Sequence, residues 1–299
     1  MTAGGLPLAV IETSRDLEVT RATLAPPIYL PGSGHWPMLL SVPHAGTDYP
    51  DWLIRESRLG RPSLEPLEDP LVHRLVWRAA ALGIGVVAAS APRAAIDCNR
   101  GPHEMDVPDS IVPGADPGPR ARGGLGLVPS RTPRHGELWR RPVSVQEIER
   151  RMAEAWTPYH ALIDKQLAEL RRRHAEVMLL DVHSMPARNP LLPRLVIGDR
   201  HGRTAGAWLG DLARRTADEF GYRTAFNDPY AGGHVVERHG RPADGVHALQ
   251  LELDRACYLS RDQRTPGKGF DSTARLLEAL ARGLGEALLA RTALPEAAE

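Results

Sequence analysis

The sequence predicts an α/β domain with a mostly parallel or mixed sheet. Short runs rich in Val, Ile and Leu, bounded by Gly, Pro or Asp, read as strands buried on both faces. They alternate with longer amphipathic runs at helical spacing, the pattern of strands joined by helices. Size agrees: 299 residues, 42% of them hydrophobic, are enough to bury a substantial core.

Residues 1–35 are weakly patterned and read as peripheral. Met38–Val42 is the first strand and Asp69–Leu82 the first helix; Ile84–Ala89 follows as a strand, with another near Ala94–Ile96. Residues 101–142 break the alternation. Eight prolines and seven glycines make 15 of these 42 positions resistant to regular structure, and arginines run through the stretch. A loop this long inside a compact domain is usually functional or mobile.

Val145–His174 reads as a long helix opening on the capping box Ser144-Val-Gln-Glu147. It places Val145, Ile148, Met152, Trp156, Tyr159 and Ile163 at spacings of three and four. Pro158 should kink it, or split it near Trp156. Strands Val177–Val182 and Arg194–Ile197, helix Ala205–Phe220, strand His247–Leu253 and helix Ser272–Ala290 complete the alternation; Leu294–Glu299 is again weakly patterned. With no internal repeat or domain boundary visible, residues 1–299 read as a single catalytic domain.

Composition narrows the function classes. Lys and Arg number 37 against 37 Asp and Glu, and the pI is near 7.2, so no net field draws the chain to nucleic acid or anionic membrane. No run approaches the roughly 18 apolar residues of a membrane span, and MTAGGLPLAV lacks a cleavable signal. Two cysteines, Cys98 and Cys257, suit a reduced, cytoplasmic protein better than a disulfide-stapled one.

Four polar signatures fall near the ends of predicted strands, where open α/β sheets bind ligands. Ser41-Val-Pro-His44-Ala-Gly46 offers an accessible ring among small neighbours, either a ligand or a turn histidine. Asp181-Val-His183-Ser184 sets two polar side chains on one strand face, so that one can bind a metal while the other orients it. Asp97-Cys-Asn99-Arg100 offers an arginine fork for a carboxylate, or a structural Arg–Asp pair within the motif. Glu252, in Gln250-Leu-Glu252-Leu-Asp254-Arg255, stands inside a hydrophobic strand, either salt-bridged or as a base whose pKa burial has raised.

Together these supply the inventory of a mononuclear zinc hydrolase: histidine and carboxylate ligands, a carboxylate base and a cationic substrate clamp. His234, after two glycines, either lines the pocket or is a loop histidine. His247 lies five residues from Glu252, on the opposite strand face, and reads as packing. His73, His160 and His174 fall on predicted helices as surface or core residues, and Arg171–Arg173 caps a helix C-terminus. Cys98 has no identifiable base and does not read as a nucleophile.

The ensemble resembles the N-formylglutamate amidohydrolase family. The matching segments are Pro43-His44-Ala-Gly46 with Tyr49-Pro50, Asp97-Cys-Asn99-Arg100, Asp181-Val-His183-Ser184, Gly198-Asp199, Gly232-Gly233-His234 and Gly245-Val-His247-Ala-Leu-Gln250-Leu-Glu252. They stand in the family's order over about residues 41–258. The resemblance implies a three-layer α/β/α fold around a mixed sheet, like that of zinc carboxypeptidases. It implies hydrolysis of N-formyl-L-glutamate to formate and glutamate, late in histidine breakdown, with one zinc ion.

By the same resemblance His44 and His183 are metal ligands, Glu252 is the general base, and Asn99 and Arg100 grip the substrate's α-carboxylate. Asp69 is preferred as third ligand because a helix N-terminus would hold it; Asp48 is the alternative. Arg93 or Arg100 helps the metal stabilise the oxyanion. Two other readings remain open: a deacylase or peptidase acting on another N-acyl amino acid or short peptide, with loop 101–142 reshaping specificity, and a non-catalytic metal-binding protein.

Overall fold

The computed structural model describes residues 22–105 and 116–292; the sequence readings on 1–21, on 106–115 of the long loop and on Leu294–Glu299 lie outside them. Among the described residues nine strands follow one another along the chain. They are β1 (Ile28–Leu30), β2 (Met38–Val42), β3 (Gly85–Ala88), β4 (Arg131–Thr132), β5 (Gly136–Glu137), β6 (Val177–Met185), β7 (Leu195–Gly198), β8 (Thr224–Phe226) and β9 (Val246–Asp254). The β4–β5 pair is a small hairpin, and the other seven build one sheet in the order β1-β3-β2-β6-β9-β7-β8. The sheet is mixed: β1–β3 and β7–β9 are antiparallel and the remaining pairs parallel.

Helices cover both faces. On one, Leu40, Val42, Leu180, Val182, Leu249 and Leu251 pack against Ala274, Leu277, Leu280 and Leu284 of the Phe270–Thr292 helix and Leu209 and Ala213 of the Ala207–Glu219 helix. On the other, Leu39, Val87, Val177, Leu179, Val246 and Ala248 meet Tyr159, Ile163 and Leu167 of the Thr157–Arg171 helix. The alternation along each strand sends odd and even positions to opposite layers, which gives the three-layer α/β/α arrangement. Burying a leucine contributes about 1.5–3 kcal/mol, so these two interfaces dominate what holds the layers together.

The two central strands explain where polar residues can go. All nine residues of β6 and all nine of β9 are buried, yet they include Asp181, His183, Gln250 and Glu252. Burying such groups is costly unless each is paired. Register pairs them: Asp181 lies opposite Gln250 and His183 opposite Glu252, on the face covered by the Thr157–Arg171 helix.

Several expectations change. The Asp69–Leu82 helix is broken into Val72–Leu75 and Trp77–Ala81, and Asp69 stands before both, separated from them by Leu71 at φ 61°. Ala94–Ile96 is a turn, not a strand, held by Ala95 N–H donating to the Pro92 carbonyl at 2.8 Å. Near Pro158 the helix does not split: Met152–Trp156 is wound as a π-helix, and Pro158 sits in the first turn of the α-helix that follows. The wider turn absorbs the bond that proline cannot donate. Ile28–Leu30 and Thr224–Phe226, both at sheet edges, are too short to stand out in the sequence.

The described part of loop 101–142 has structure of its own. It holds the short helix Gly118–Arg122 and the β4–β5 hairpin, and buries Leu127, Leu138 and Trp139 in a second apolar cluster with Leu53, Ile96 and Trp156.

Candidate metal and active site

The site forms where β2, β6 and β9 run out at their C-terminal ends. His44 follows β2 in a turn and is 3% exposed. Gly46 lets that turn close, since a Cβ there would lie 2.0 Å from the Ala91 carbonyl oxygen. Asp69 reaches His44 through its backbone, its N–H donating to the His44 carbonyl at 3.0 Å. That bond, rather than a helix N-terminus, fixes the aspartate. Its Oδ1 accepts from Arg255 at 3.0 Å and from Ser184 at 3.3 Å.

Asp69 Oδ2 then lies 3.1 Å from His44 Nδ1 and 3.2 Å from His183 Nδ1, and the two Nδ1 atoms are 3.0 Å apart. The outer nitrogen of each ring meets a carboxylate: His44 Nε2 donates to Asp97 Oδ1 at 2.7 Å, and His183 Nε2 to Asp181 Oδ2 at 2.8 Å. With the outer nitrogens committed as donors, two imidazole lone pairs and a carboxylate oxygen converge with no donor between them. Only a proton or a cation can occupy that point, and two histidines with one carboxylate suit a divalent metal such as zinc. All three ligand atoms lie within 4.8 Å of one another. Asp48 is not in this group.

The electrostatics agree with the geometry. Burial would raise the Asp69 carboxyl, but hydrogen bonds with His183 and His44 outweigh it and hold the group well below the usual carboxylate range. Burial would lower His183, but the Asp181 charge and hydrogen bond outweigh it and hold the ring well above its ordinary value. Burial would also raise Asp97, but the charges of Arg93, His44 and Arg100 hold it low. Glu252 goes the other way: burial pushes its carboxyl up, and the Asp69 charge adds to that against the lowering pull of His183.

A cavity of about 330 Å³ opens on the cluster. Its wall includes His44, Asp69, His183 and Glu252, with Arg93, Asn99, Arg100 and Arg255. The long loop contributes Arg120, Arg134 and His135 to the same wall, and Arg120 lies 5.0 Å over the Tyr230 ring. Arg93 is pinned through Nε to Asp97 Oδ2 at 2.8 Å. Asp97 therefore pairs with Arg93 and His44, not with the arginine of its own motif. Arg100 donates from Nε to the Leu125 carbonyl at 3.0 Å and from Nη1 to the Asn99 carbonyl at 2.8 Å.

The other singled-out residues are placed as follows. Both oxygen and nitrogen of the Asn99 amide are engaged by protein: Oδ1 accepts from Val235 N–H at 2.8 Å, and Nδ2 donates to Gln250 at 3.0 Å. The His234 ring packs tilted against Trp156 and edge-on to His160, at 5.5 and 5.3 Å between centroids, and is not part of the cavity wall. His247 sits away from the cavity, accepting from Gly206 N–H at 3.3 Å. Cys98 is buried, and burial with the Asp97 charge pushes its thiol far up. The residues that sequence reasoning missed are Asp97 as partner of His44, Arg255 and Ser184 as holders of Asp69, and Gln250. All four lie within the polar signatures read from the sequence, which carry no sign of these particular pairings.

Comparison with known proteins decides the family. A model of the N-formylglutamate amidohydrolase family matches residues 36–259. The chain belongs to the N-formylglutamate amidohydrolase family. It is a hydrolase of amide bonds. It is 31% identical over 271 residues to the N-formylglutamate deformylase of Pseudomonas aeruginosa, covering 86% of this chain and 94% of that one. The N-formylglutamate deformylase of Pseudomonas putida is 29% identical over 265 residues, with the same shares covered. The crystal structure of N-formylglutamate amidohydrolase from Ralstonia eutropha JMP134 superposes with a TM-score of 0.82 at 31% identity, over 90% of this chain and all of that one. A gene product of Agrobacterium tumefaciens, Atu2144, shares the fold at a TM-score of 0.64 and 17% identity, over 90% of this chain and 95% of that one. Among the described residues no helix is long and apolar enough to cross a membrane.

Proposed function

We propose that this chain hydrolyses N-formyl-L-glutamate to formate and L-glutamate, with one divalent metal, zinc by the chemistry of its donors, held by His44, Asp69 and His183. The observation that carries the reading is Glu252. It is a buried carboxylate with a raised pKa, opposite His183 in register, on the wall of a cavity rimmed by arginines. When bound, the ion supplies Lewis acidity, which acidifies water and polarises a carbonyl oxygen.

The chain's own residues do the rest. Glu252 accepts the proton of the attacking water and delivers it to the amine nitrogen as the C–N bond breaks, a pair of tasks that a raised carboxyl pKa favours. Arg93, held by Asp97, adds positive charge where the carbonyl oxygen becomes negative. Arg100, Arg120 and Arg134 answer the two carboxylates of the substrate. A formyl group carries only hydrogen beyond its carbonyl, so selectivity rests on these carboxylates. We assign the whole chain to one catalytic domain. The two free cysteines support a cytoplasmic setting, and the resemblance supports a late step of histidine breakdown.

The test is initial-rate hydrolysis by zinc-loaded protein on N-formyl-L-glutamate, N-formyl-L-glutamine and N-acetyl-L-glutamate. Replacing the distal carboxylate by an amide removes a charge-assisted pair, and kcat/KM should fall roughly 10- to 150-fold. The acetyl compound should also be slower. Equal rates on the acetyl and formyl compounds would transfer the chain to a broader deacylase role.

A further inference from the structure

We infer that Gln250 is a positioning residue that aims the general base, and that Asn99 serves the same relay rather than the substrate. The inference rests on the reading of Glu252 as base. Gln250 Nε2 donates to Glu252 Oε1 at 3.0 Å. Both side chains are buried, at 3% and 8% exposure, so water does not compete for that bond.

The direction of the amide follows from its other end. Gln250 Oε1 accepts from Gly233 N–H at 2.8 Å and from Asn99 Nδ2 at 3.0 Å. Two donors meeting one atom require it to be the oxygen, so the NH2 group must face the carboxylate. Asn99 is oriented by the same logic, because its Oδ1 accepts from Val235 N–H at 2.8 Å. Its Nδ2 also lies 3.2 Å from His183 Nε2, but the proton of that nitrogen goes to Asp181, so the approach is packing. Every link therefore runs one way: Val235 N–H to Asn99, Asn99 to Gln250, and Gln250 to Glu252.

Gly233 belongs to the relay as well. A Cβ there would lie 2.4 Å from Asn99 Oδ1, so only glycine lets the backbone approach closely enough to donate to Gln250. The relay fixes one oxygen of Glu252, and among the described residues the other meets no hydrogen-bond donor; the residue lines the cavity. A base held in this way keeps a single orientation through both proton transfers.

The inference has a direct test. Kinetics on zinc-loaded protein with N-formyl-L-glutamate would compare wild type, Gln250→Met, Glu252→Gln and the double variant. Bound zinc would be measured in each. Gln250→Met should lower kcat by roughly 10- to 100-fold with KM within about twofold and zinc unchanged. In the Glu252→Gln background, already slowed about 10²- to 10⁴-fold, the same substitution should cost less than about twofold. Gln250→Glu keeps an acceptor for Gly233 and Asn99 but sets a second carboxyl against Glu252, and the proton the two must share is withheld from the base, so kcat should fall at least as far. Should Gln250→Met fail to fold, Gln250→Glu decides. Wild-type kcat in Gln250→Glu, or equal losses from Gln250→Met in both backgrounds, would overturn the relay while leaving the base in place. Near-wild-type kcat in Glu252→Gln would overturn the base reading and the relay with it.

Discussion

In the cavity wall His44 Nδ1 lies 3.0 Å from His183 Nδ1; between the Thr157–Arg171 and His234–His239 helices, His160 Nδ1 lies 2.9 Å from His239 Nε2. The two pairs share residue type, burial and spacing, and differ in what else meets the inner nitrogens: in the cavity wall Asp69 Oδ2 faces both. His160 Nε2 donates to the Cys98 carbonyl at 3.0 Å, so its Nδ1 is free to accept the proton of His239 Nε2. The outer nitrogen of His239, Nδ1, lies 3.0 Å from the half-exposed Asp164 carboxylate. Burial first, and then the neighbouring charges of His239, His234 and Arg238, push His160 down to about 2. In the cavity wall each outer nitrogen donates to a carboxylate, which leaves two lone pairs and Asp69 facing one another. The third carboxylate, Asp69 between the near nitrogens, therefore separates a structural histidine pair from a cation site.

The largest effect should come from the ligands themselves. His44→Ala or His183→Ala should abolish stoichiometric zinc in dialysed protein, whereas His160→Gln should leave it bound. Zinc retained after either alanine substitution would break the comparison.

Next come the two carboxylates that back the ligands, which are not equivalent. Asp97 also neutralises Arg93, whereas among the described residues Asp181 Oδ1 meets the Ser41 hydroxyl, at 2.6 Å, and no cation. After Asp181→Asn, His183 can shed its proton; after Asp97→Asn, Arg93 cannot. Denaturant unfolding of the metal-free protein should show Asp97→Asn costing about 3–5 kcal/mol and Asp181→Asn clearly less. Both should weaken zinc binding roughly 10- to 100-fold. Equal stability losses would mean that the Arg93 charge does not decide the difference.

A smaller effect distinguishes the structural pair by pH. The unfolded chain protonates His160 near 6.5, but the folded protein does not until about 2. Stability must therefore fall as pH drops below about 6.5, by up to about 1.4 kcal/mol per pH unit from this residue. His160→Gln removes that term, so its stability deficit relative to wild type should shrink by roughly 2–3 kcal/mol between pH 6.5 and 4.5. A constant deficit across that range would show that the ring is not held neutral.

The smallest effect lies furthest from the metal. Tyr159 shares a 2.7 Å hydrogen bond with Ser41, which backs Asp181. Tyr159→Phe should cost about 0.5–1.5 kcal/mol of stability and change zinc affinity only slightly. A tenfold loss of affinity would show that the Ser41 hydroxyl is oriented from Tyr159.

The part of the site carried by strands was legible in the sequence, and the part carried by turns was not. Asp181 and His183 stand two apart on one strand, so period-two geometry alone puts them on one face. Glu252 is conspicuous as a charge within an otherwise apolar run. By contrast, Asp97 is 53 residues from His44, and only the turn at 92–98 brings the two together. Asp69 was singled out as a residue opening a helix, but a backbone bond to His44 holds it. The alternation that marked β2, β3, β6, β7 and β9 reflects burial on both faces. The edge strands β1 and β8, three residues each and half-covered, carry too few apolar positions to show it.

Zinc titration of metal-free protein, with occupancy and formate release from N-formyl-L-glutamate followed together, tests the central claim most directly. Activity should be absent without metal, rise in proportion to occupancy and level off at one equivalent. Full activity in protein shown to be free of metal, or a plateau reached only at two equivalents, would contradict a single ion held by His44, Asp69 and His183.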